Sequence, residues 1–254
     1  MERVRLDSLL VERGLAPSRE KAQALVLAGL VVVDEHRAGK PGQRVPRSSS
    51  IRLRGEFCPY VSRGGLKLEA GLRAFGVDPR DKVCVDVGAS TGGFTDCLLQ
   101  RGARRVYAID VGYGQLAWRL RDDPRVVVLE RQNFRELPPE TIPEPVDLLV
   151  ADASFISLRL ILPKMAEVLT EGRSPEAVVL VKPQFEVGKG QVGKGGVVRD
   201  PELRLEALRT VVGAAELLGF EVPGWIESPV PGAKKGNIEY LVHMKVRRAA
   251  PEGD

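Results

Sequence analysis

A chain of 254 residues, 43% hydrophobic and 28% charged, is long enough for one sizeable core plus a small module and has the composition of an ordinary folded protein. The longest apolar run, Ala24 to Val33, is too short to cross a bilayer, and the opening MERVRLDSLL lacks an apolar stretch with a cleavage site; no membrane span or export signal is expected, and a cytoplasmic location is. The net charge of +4 lies wholly in residues 1–60, with 11 Lys and Arg against 7 Asp and Glu, while the other 194 residues balance at 27 against 27. A basic module on a neutral body suggests a polyanion partner, nucleic acid before membrane surface. Cys58, Cys84 and Cys97 have no metal-ligand spacing, and with only His36 and His243 beside them no metal site is expected.

In chain order, Leu6, Leu9 and Leu10 form a helical stripe closed by Gly14, and Ser18 caps a second helix carrying Ala22, Leu25 and Val26, closed by Gly29. Val31 to Val33 and Ile51 to Leu53 are strand-like runs separated by Gly, Pro and Ser, which predicts a small hairpin. The elements "RLD…L", "SR…A…L…G.V.V" and "KPG..V" resemble an S4-type RNA-binding domain over about residues 3–54. The match departs at Asp34 and Glu35, where that family often has Gly in the turn. The resemblance implies that Arg3, Arg5, Ser18, Arg19, Lys21, Lys40 and Arg44 face RNA. Guanidinium forks and a helix N-terminus suit phosphate oxygens, and such contacts position RNA without selecting its sequence. Pro59, Gly64 and Gly65 then loosen the chain, which suggests a domain at 1–56, a linker at 57–64 and a second domain at 65–254.

From Gly65 onward helical and strand periods alternate. "LKLEAGLRAF" is amphipathic and stopped by Gly76; "KVCVDVG", "RRVYAIDVG", "RVVVLE", "PVDLLVADAS" and "AVVLVKPQ" are buried strands; a long helix and a closing strand pair follow. The expected fold is α/β with a parallel sheet, whose ligands gather at the carboxyl ends of strands. Asp86, Asp110, Asp152 and Lys182 all stand at such ends.

The first strand runs into the glycine-rich turn "VDVGASTGGFTD", Val85 to Asp96. A P-loop would need Lys and then Ser or Thr after the last glycine, but Phe94 and Thr95 follow Gly93. A dinucleotide fingerprint would need Gly where Ser90 stands. What remains is an acid at a strand end and a turn that admits a ligand with an amine and no phosphate. Asp110, one strand later, can accept from both hydroxyls of a ribose.

The turn, this acid and the alternation resemble the Rossmann-like fold of S-adenosylmethionine-dependent methyltransferases, and the turn itself is similar to that of FtsJ-like RNA 2′-O-methyltransferases. The resemblance implies a Lys, Asp, Lys, Glu tetrad, which falls on Lys67, Asp152, Lys182 and Glu239. Candidate cofactor contacts are Asp86, Gly88, Ala89, Ser90, Gly92, Gly93 and Phe94 in the turn, Asp110 and Val111 after the second strand, Asn133 and Phe134 beside the adenine, and Asp152. An S4-like module joined to this tetrad resembles the TlyA (hemolysin A) family over nearly the whole chain. That family implies strand order 3-2-1-4-5-7-6, S-adenosylmethionine as cofactor, and ribose methylation, at cytidine, of ribosomal RNA within ribosomal subunits. A monomer without membrane or metal partner is expected.

Because the methyl group is already activated by a sulfonium, the protein's task is to align it with an oxygen and to handle that oxygen's proton. Lys182 can act as a general base, helped by a second ammonium at Lys67, or as a cation that steers the hydroxyl and stabilises developing charge. Glu186 to Asp200, "EVGKGQVGKGGVVRD", has five glycines and two lysines. It is expected to form no helix or strand but a lid that orders on substrate, with Lys189 and Lys194 as further RNA contacts. Three other functions make different demands on the sequence: a noncatalytic ribosome-assembly factor, which would have a damaged turn or tetrad; a membrane-lytic protein, which would need an amphipathic or spanning segment; and a base methyltransferase, which would place Pro-Pro-Tyr or Pro-Pro-Phe where Ala153 and Ser154 follow Asp152.

Overall fold

In the computed structural model, residues 2–27, 29–54, 58–170, 174–232 and 237–247 are described, apart from the Lys189 side chain. The chain divides into two units, Met1–Cys58 and Pro59–Asp254.

In the first unit β1 (Arg3–Arg5) leads directly into α1 (Leu6–Glu12), and α2 (Arg19–Leu27) follows. The expected stops are in place: Gly14 and Gly29 both take a φ of 69°, and Ser18 Oγ accepts the Lys21 N–H at 3.2 Å as the cap of α2. Next come β2 (Val31–Val33), β3 (His36–Arg37), β4 (Arg44–Pro46) and β5 (Ile51–Leu53). β2 pairs with both β3 and β5, so the predicted pairing of Val31–Val33 with Ile51–Leu53 forms within a three-stranded sheet, while β1 pairs with β4 in a second small sheet. The turn that joins β2 to β3 is Asp34 and Glu35, at φ 47° and 66°. A two-residue hairpin needs such left-handed residues. Here side chains offset the cost: Asp34 Oδ1 accepts the Ser50 N–H at 2.8 Å and Glu35 pairs with Arg52 at 2.8 Å. Leu6, Leu9, Leu10, Leu25 and Val26 meet Val31 and Val45 in a separate small core.

Within this unit Asp7 is fully buried and collects donors. Arg5 reaches it through Nε at 3.0 Å and Nη2 at 2.8 Å, Arg19 through Nε at 3.1 Å and Gln23 through Nε2 at 3.0 Å. The Arg5 guanidinium, with help from Gln23 and Arg19, holds the Asp7 carboxyl well below the usual carboxylate range. Arg5 and Arg19 are thus not the uncommitted phosphate forks that the sequence suggests, although their side chains remain 44% and 55% exposed. Arg3 likewise donates to the Arg44 carbonyl at 2.8 Å. The Lys40 and Arg44 side chains are exposed and Lys21 is half-buried.

The second unit begins with Pro59–Arg63 packed onto it: Tyr60 is buried against Gly65, and the Val61 N–H donates to Asp96 Oδ2 at 2.7 Å. Of the linker expected at 57–64, Phe57 lies outside the described residues. α3 (Gly64–Phe75), closed by the left-handed Gly76, precedes β6 (Val83–Val87) and α4 (Gly93–Gln100). β7 (Arg105–Asp110), α5 (Trp118–Arg121), β8 (Val126–Glu130), β9 (Leu148–Ala151) and α6 (Leu162–Val168) continue the alternation. β10 (Glu176–Val181), α7 (Pro183–Glu186), α8 (Pro201–Leu217), β11 (Phe220–Glu227) and β12 (Tyr240–Val246) complete it.

One sheet runs β8-β7-β6-β9-β10-β12-β11, which counted within the unit is 3-2-1-4-5-7-6. β12 alone opposes its neighbours. β6 and β9 are buried at every residue, as continuous apolar strands covered on both faces must be. Val85, Leu149 and Val179 pack against Met165 of α6 and Leu208 and Val211 of α8. The strand order reverses between β6 and β9, and a crevice opens at their carboxyl ends. Among the described residues no helix is long and apolar enough to cross a membrane.

The Asp7 cluster makes a testable claim about the first unit. A carboxyl lowered by folding contributes stability above its unfolded range, and that contribution is lost as pH falls from the usual carboxylate range toward the lowered folded value. Asp7→Asn is expected to weaken the unit at pH 7 by about 2–3 kcal/mol, the scale of hydrogen bonds to a charged group. The same change should blunt the unit's loss of order as pH falls below about 4. Amide NMR dispersion of residues 3–53 in the full chain measures both effects, and equal dispersion in the two proteins at every pH contradicts the claim.

Candidate active site

β6 hands over to α4 through the glycine-rich turn. The Gly88 and Ala89 N–H groups both donate to the Ile109 carbonyl, at 2.9 and 3.1 Å, which laces the turn to the end of β7. Gly88 takes a φ of 81°, and a Cβ there would lie 3.1 Å from the Asp152 carbonyl oxygen, so only glycine lets the two strand ends approach. Asp110 accepts the Ser90 N–H on Oδ2 at 2.8 Å and the Gly112 N–H on Oδ1 at 2.6 Å. It therefore orders both loops that flank it.

The crevice has two lobes. The larger, about 520 Å³, contains Lys67, Asp152, Lys182 and Glu239 with Ala89, Gly93 and Phe94 of the turn. The smaller, about 360 Å³, contains Asp110, Val111, Asn133 and Phe134. Gly88, Ser90, Asp152, Ser154 and Phe155 line both. Two of the sequence candidates, Asp86 and Gly92, are in neither wall: Asp86 lies fully buried beneath the turn and Gly92 is the N-cap of α4.

Four charged side chains converge in the larger lobe from separate elements. Lys67, on the first turn of α3, pairs with Glu239, just before β12, at 2.5 Å. Lys182, just after β10, pairs with Asp152 Oδ1, just after β9, at 2.6 Å, and donates to Ser154 Oγ at 2.7 Å. Glu239 is 3% exposed, so it is no surface charge on an alternating strand. Each lysine has its own carboxylate, and its amine can also donate to an oxygen in the lobe.

Several residues in these walls were not legible beforehand. Phe155 is 91% exposed yet has a φ of 65°, which a bulky residue rarely adopts. Its ring lies 5.3 Å from that of Phe185, another residue of the larger lobe. Glu186 holds the loop after β9 in place, accepting Ser157 Oγ–H at 2.6 Å and the Leu158 N–H at 2.8 Å. The only available signal was position, since Ser154 and Phe155 directly follow Asp152. Lys194 is exposed, whereas the Lys189 side chain lies outside the described residues. Among the described residues no group of three His, Cys, Asp or Glu could hold a metal ion.

Residues 60–246 match the family model described as FtsJ-like methyltransferase, and residues 4–51 match the S4 domain. The 16S/23S rRNA (cytidine-2′-O)-methyltransferase TlyA of Mycobacterium tuberculosis is 50% identical over 246 residues, which are 96% of this chain and 91% of the relative. Hemolysin A of Brachyspira hyodysenteriae is 41% identical over 242 residues, 95% of this chain and 99% of the relative. A solved "Putative hemolysin from Streptococcus thermophilus" has a TM-score of 0.75 at 44% identity, covering 98% of this chain and 90% of that one. The chain is a methyltransferase of the FtsJ-like family that carries an S4 domain. More narrowly, it belongs to the family that contains TlyA and hemolysin A. Membership in that methyltransferase family implies use of S-adenosylmethionine.

Asp86 supplies a pH-dependent property of this site. Burial pushes its carboxyl up to about 7, although Thr95 Oγ1 donates to Oδ2 at 2.6 Å. Between the ordinary carboxylate range and pH 7 the folded chain holds a proton that the unfolded chain has lost. The contribution of this group to stability therefore falls as pH rises through that window and is level above it. Asp86→Asn removes the titration, so the melting temperature of the variant minus that of the wild type is expected to climb by several degrees between pH 5 and 8. Parallel melting curves across that range would contradict a protonated Asp86.

Proposed function

We propose that this chain transfers a methyl group from S-adenosylmethionine to the ribose 2′-hydroxyl of a cytidine in ribosomal RNA. The observation that carries this is the pair of ion pairs, Lys67 with Glu239 and Lys182 with Asp152, in a lobe that opens onto the glycine-rich turn. The residues of the smaller lobe fit the cofactor's chemistry. Ile109, Val111, Phe134 and Ile156 offer apolar walls for adenine, and Asp110 offers carboxylate oxygens to a ribose diol. No P-loop lysine stands there, in keeping with a nucleoside that carries no phosphate. When bound, the cofactor supplies an electrophilic methyl group.

The chain's own residues then have to place and polarise the hydroxyl. Lys182 is held by Asp152 and Ser154 and donates to the 2′-oxygen, which orients a lone pair and stabilises the negative charge that develops as the hydroxyl proton leaves. Asp152 borders both lobes and is the carboxylate placed to take the hydroxyl proton. Lys67, braced by Glu239, adds a second positive charge to the same lobe. Phe155 offers its exposed ring to the base whose ribose enters, the mode by which single-stranded nucleotides are commonly held. In the first unit, Lys21, Lys40 and Arg44 supply the phosphate contacts that leave the Asp7 cluster intact.

Methyl transfer to unmodified ribosomal subunits, with primer-extension mapping of the product, tests this directly. Lys182→Ala is expected to lose about 10²–10⁴-fold in rate, the scale of proton handling or charge stabilisation by one group, while calorimetric affinity for S-adenosylmethionine stays within a few fold. Lys182→Arg keeps a cation but cannot accept a proton, so residual activity there supports the steering role. Near-normal turnover by Lys182→Ala would refute the assignment.

Phe155 separates stacking from strain. Phe155→Ala and Phe155→Gly should each lose roughly 10–100-fold in kcat/KM on RNA, from about 1–3 kcal/mol of stacking per base, with cofactor affinity unchanged. Of the two, only the glycine variant relieves the left-handed backbone, so it should melt higher than the alanine variant. Full activity in either would remove Phe155 from the base site.

A further inference from the structure

Asn237 is 2% exposed, stands two residues before Glu239 and forms part of the larger lobe. Both ends of its carboxamide are used. Oδ1 accepts the Val198 N–H at 3.2 Å and Nδ2 donates to the Gly196 carbonyl at 2.8 Å, while its backbone carbonyl accepts the Gly232 N–H at 3.1 Å. The segment it grips is a tight hairpin. The Gly193 N–H donates to the Val197 carbonyl and the Gly196 N–H to the Gly193 carbonyl, both at 3.0 Å, with Gly195 and Gly196 at φ 84° and 77°. A Cβ at Gly193 would lie 2.9 Å from the Val197 oxygen, so the closure depends on glycine. Val197 and Val198 are buried beneath it, and Lys194 is exposed between its arms.

The segment that the sequence suggests is a lid ordering on substrate is therefore already fastened. Each residue of this glycine-rich segment gives up about 1–2 kcal/mol of backbone entropy when ordered, and the two hydrogen bonds of the hairpin and a single buried amide oppose that cost. Val192 and Gly196 border the same lobe as Lys67, Lys182 and Glu239, which makes the hairpin a wall of the reaction site.

We propose that Asn237 is a positioning residue for methyl transfer: it fixes the hairpin Gly193–Val197 as a wall of the larger lobe and keeps that wall in register with Glu239. This rests on the ribose-methylation function proposed above. Asn237 acts through the hairpin and not on the reacting atoms. The clamp needs a donor and an acceptor on one side chain, which is why an amide serves. An aspartate of the same shape would accept from Val198 but set an anionic oxygen against the Gly196 carbonyl.

The test combines a structural readout with a kinetic one in the full chain. In the wild type, hydrogen exchange at the Gly193, Gly196 and Val198 amides should be slower than at the Gly195 amide. In Asn237→Asp and Asn237→Ala, native-state tryptic cleavage after Lys194 should be at least tenfold faster. Melting temperature should stay within a few degrees and S-adenosylmethionine affinity within twofold. On ribosomal subunits kcat should fall at least tenfold with a smaller change in KM. Equal exchange across the hairpin, or unchanged cleavage in folded variants, overturns the clamp, and faster cleavage with wild-type kcat overturns its positioning role. A wild-type protein that transfers no methyl group would refute the ribose-methylation function and the positioning role together, while the exchange and cleavage results would still decide whether Asn237 holds the hairpin.

Discussion

Two ammonium groups share one partly dry lobe because each brings its own carboxylate. Burying an unpaired charge costs several kcal/mol, and removing one member of a buried pair costs about 3–5 kcal/mol, so neither lysine could sit there alone. The partners are remote in sequence: Lys67 and Glu239 are 172 residues apart, and Lys182 and Asp152 are 30 apart. Only a sheet in which β9, β10 and β12 are neighbours sets Asp152, Lys182 and Glu239 along one line of strand ends. The strand order, including the one antiparallel strand, thus decides whether the charges can be paired.

The crevice and the turn beneath it hold features that a stable fold would otherwise avoid. Phe155 keeps a left-handed backbone and an exposed ring; Asp86 keeps a carboxyl with no exposed surface; the turn after β6 keeps glycine against backbone. Strained or desolvated groups of this kind persist when surrounding structure over-determines them. Here the surroundings are the fully buried β6 and β9 and the core they share with α6 and α8. The charged groups stand at the strand ends, and the strand interiors hold those ends still.

In the first unit the same residues have to hold structure and present charge. Arg5 and Arg19 turn toward the buried Asp7, and Arg13 donates to the carbonyls of Ser49 and Arg47, at 2.7 and 2.5 Å. A surplus of basic residues therefore overstates the cations available to phosphate. It also means that a small unit with a modest apolar core gains order from ionic hydrogen bonds.

By itself the sequence determined the two units' character, the α/β alternation, and the helix stops at Gly14, Gly29 and Gly76, because periodicity, capping and strand-end motifs are local properties of the chain; the four tetrad positions came from the resemblance. The resemblance supplied the strand order that the sheet then displayed. Local pattern could not tell that Glu239 is buried and not an edge charge, that Arg5 and Arg19 serve Asp7, or that Asp86 lies beneath the turn and outside both lobes. Nor could it tell that the glycine-rich segment after α7 is pinned by Asn237, some forty residues further on. Those outcomes depend on which distant side chain arrives within hydrogen-bonding reach, and that is settled only when packing of the whole unit brings the strand ends together.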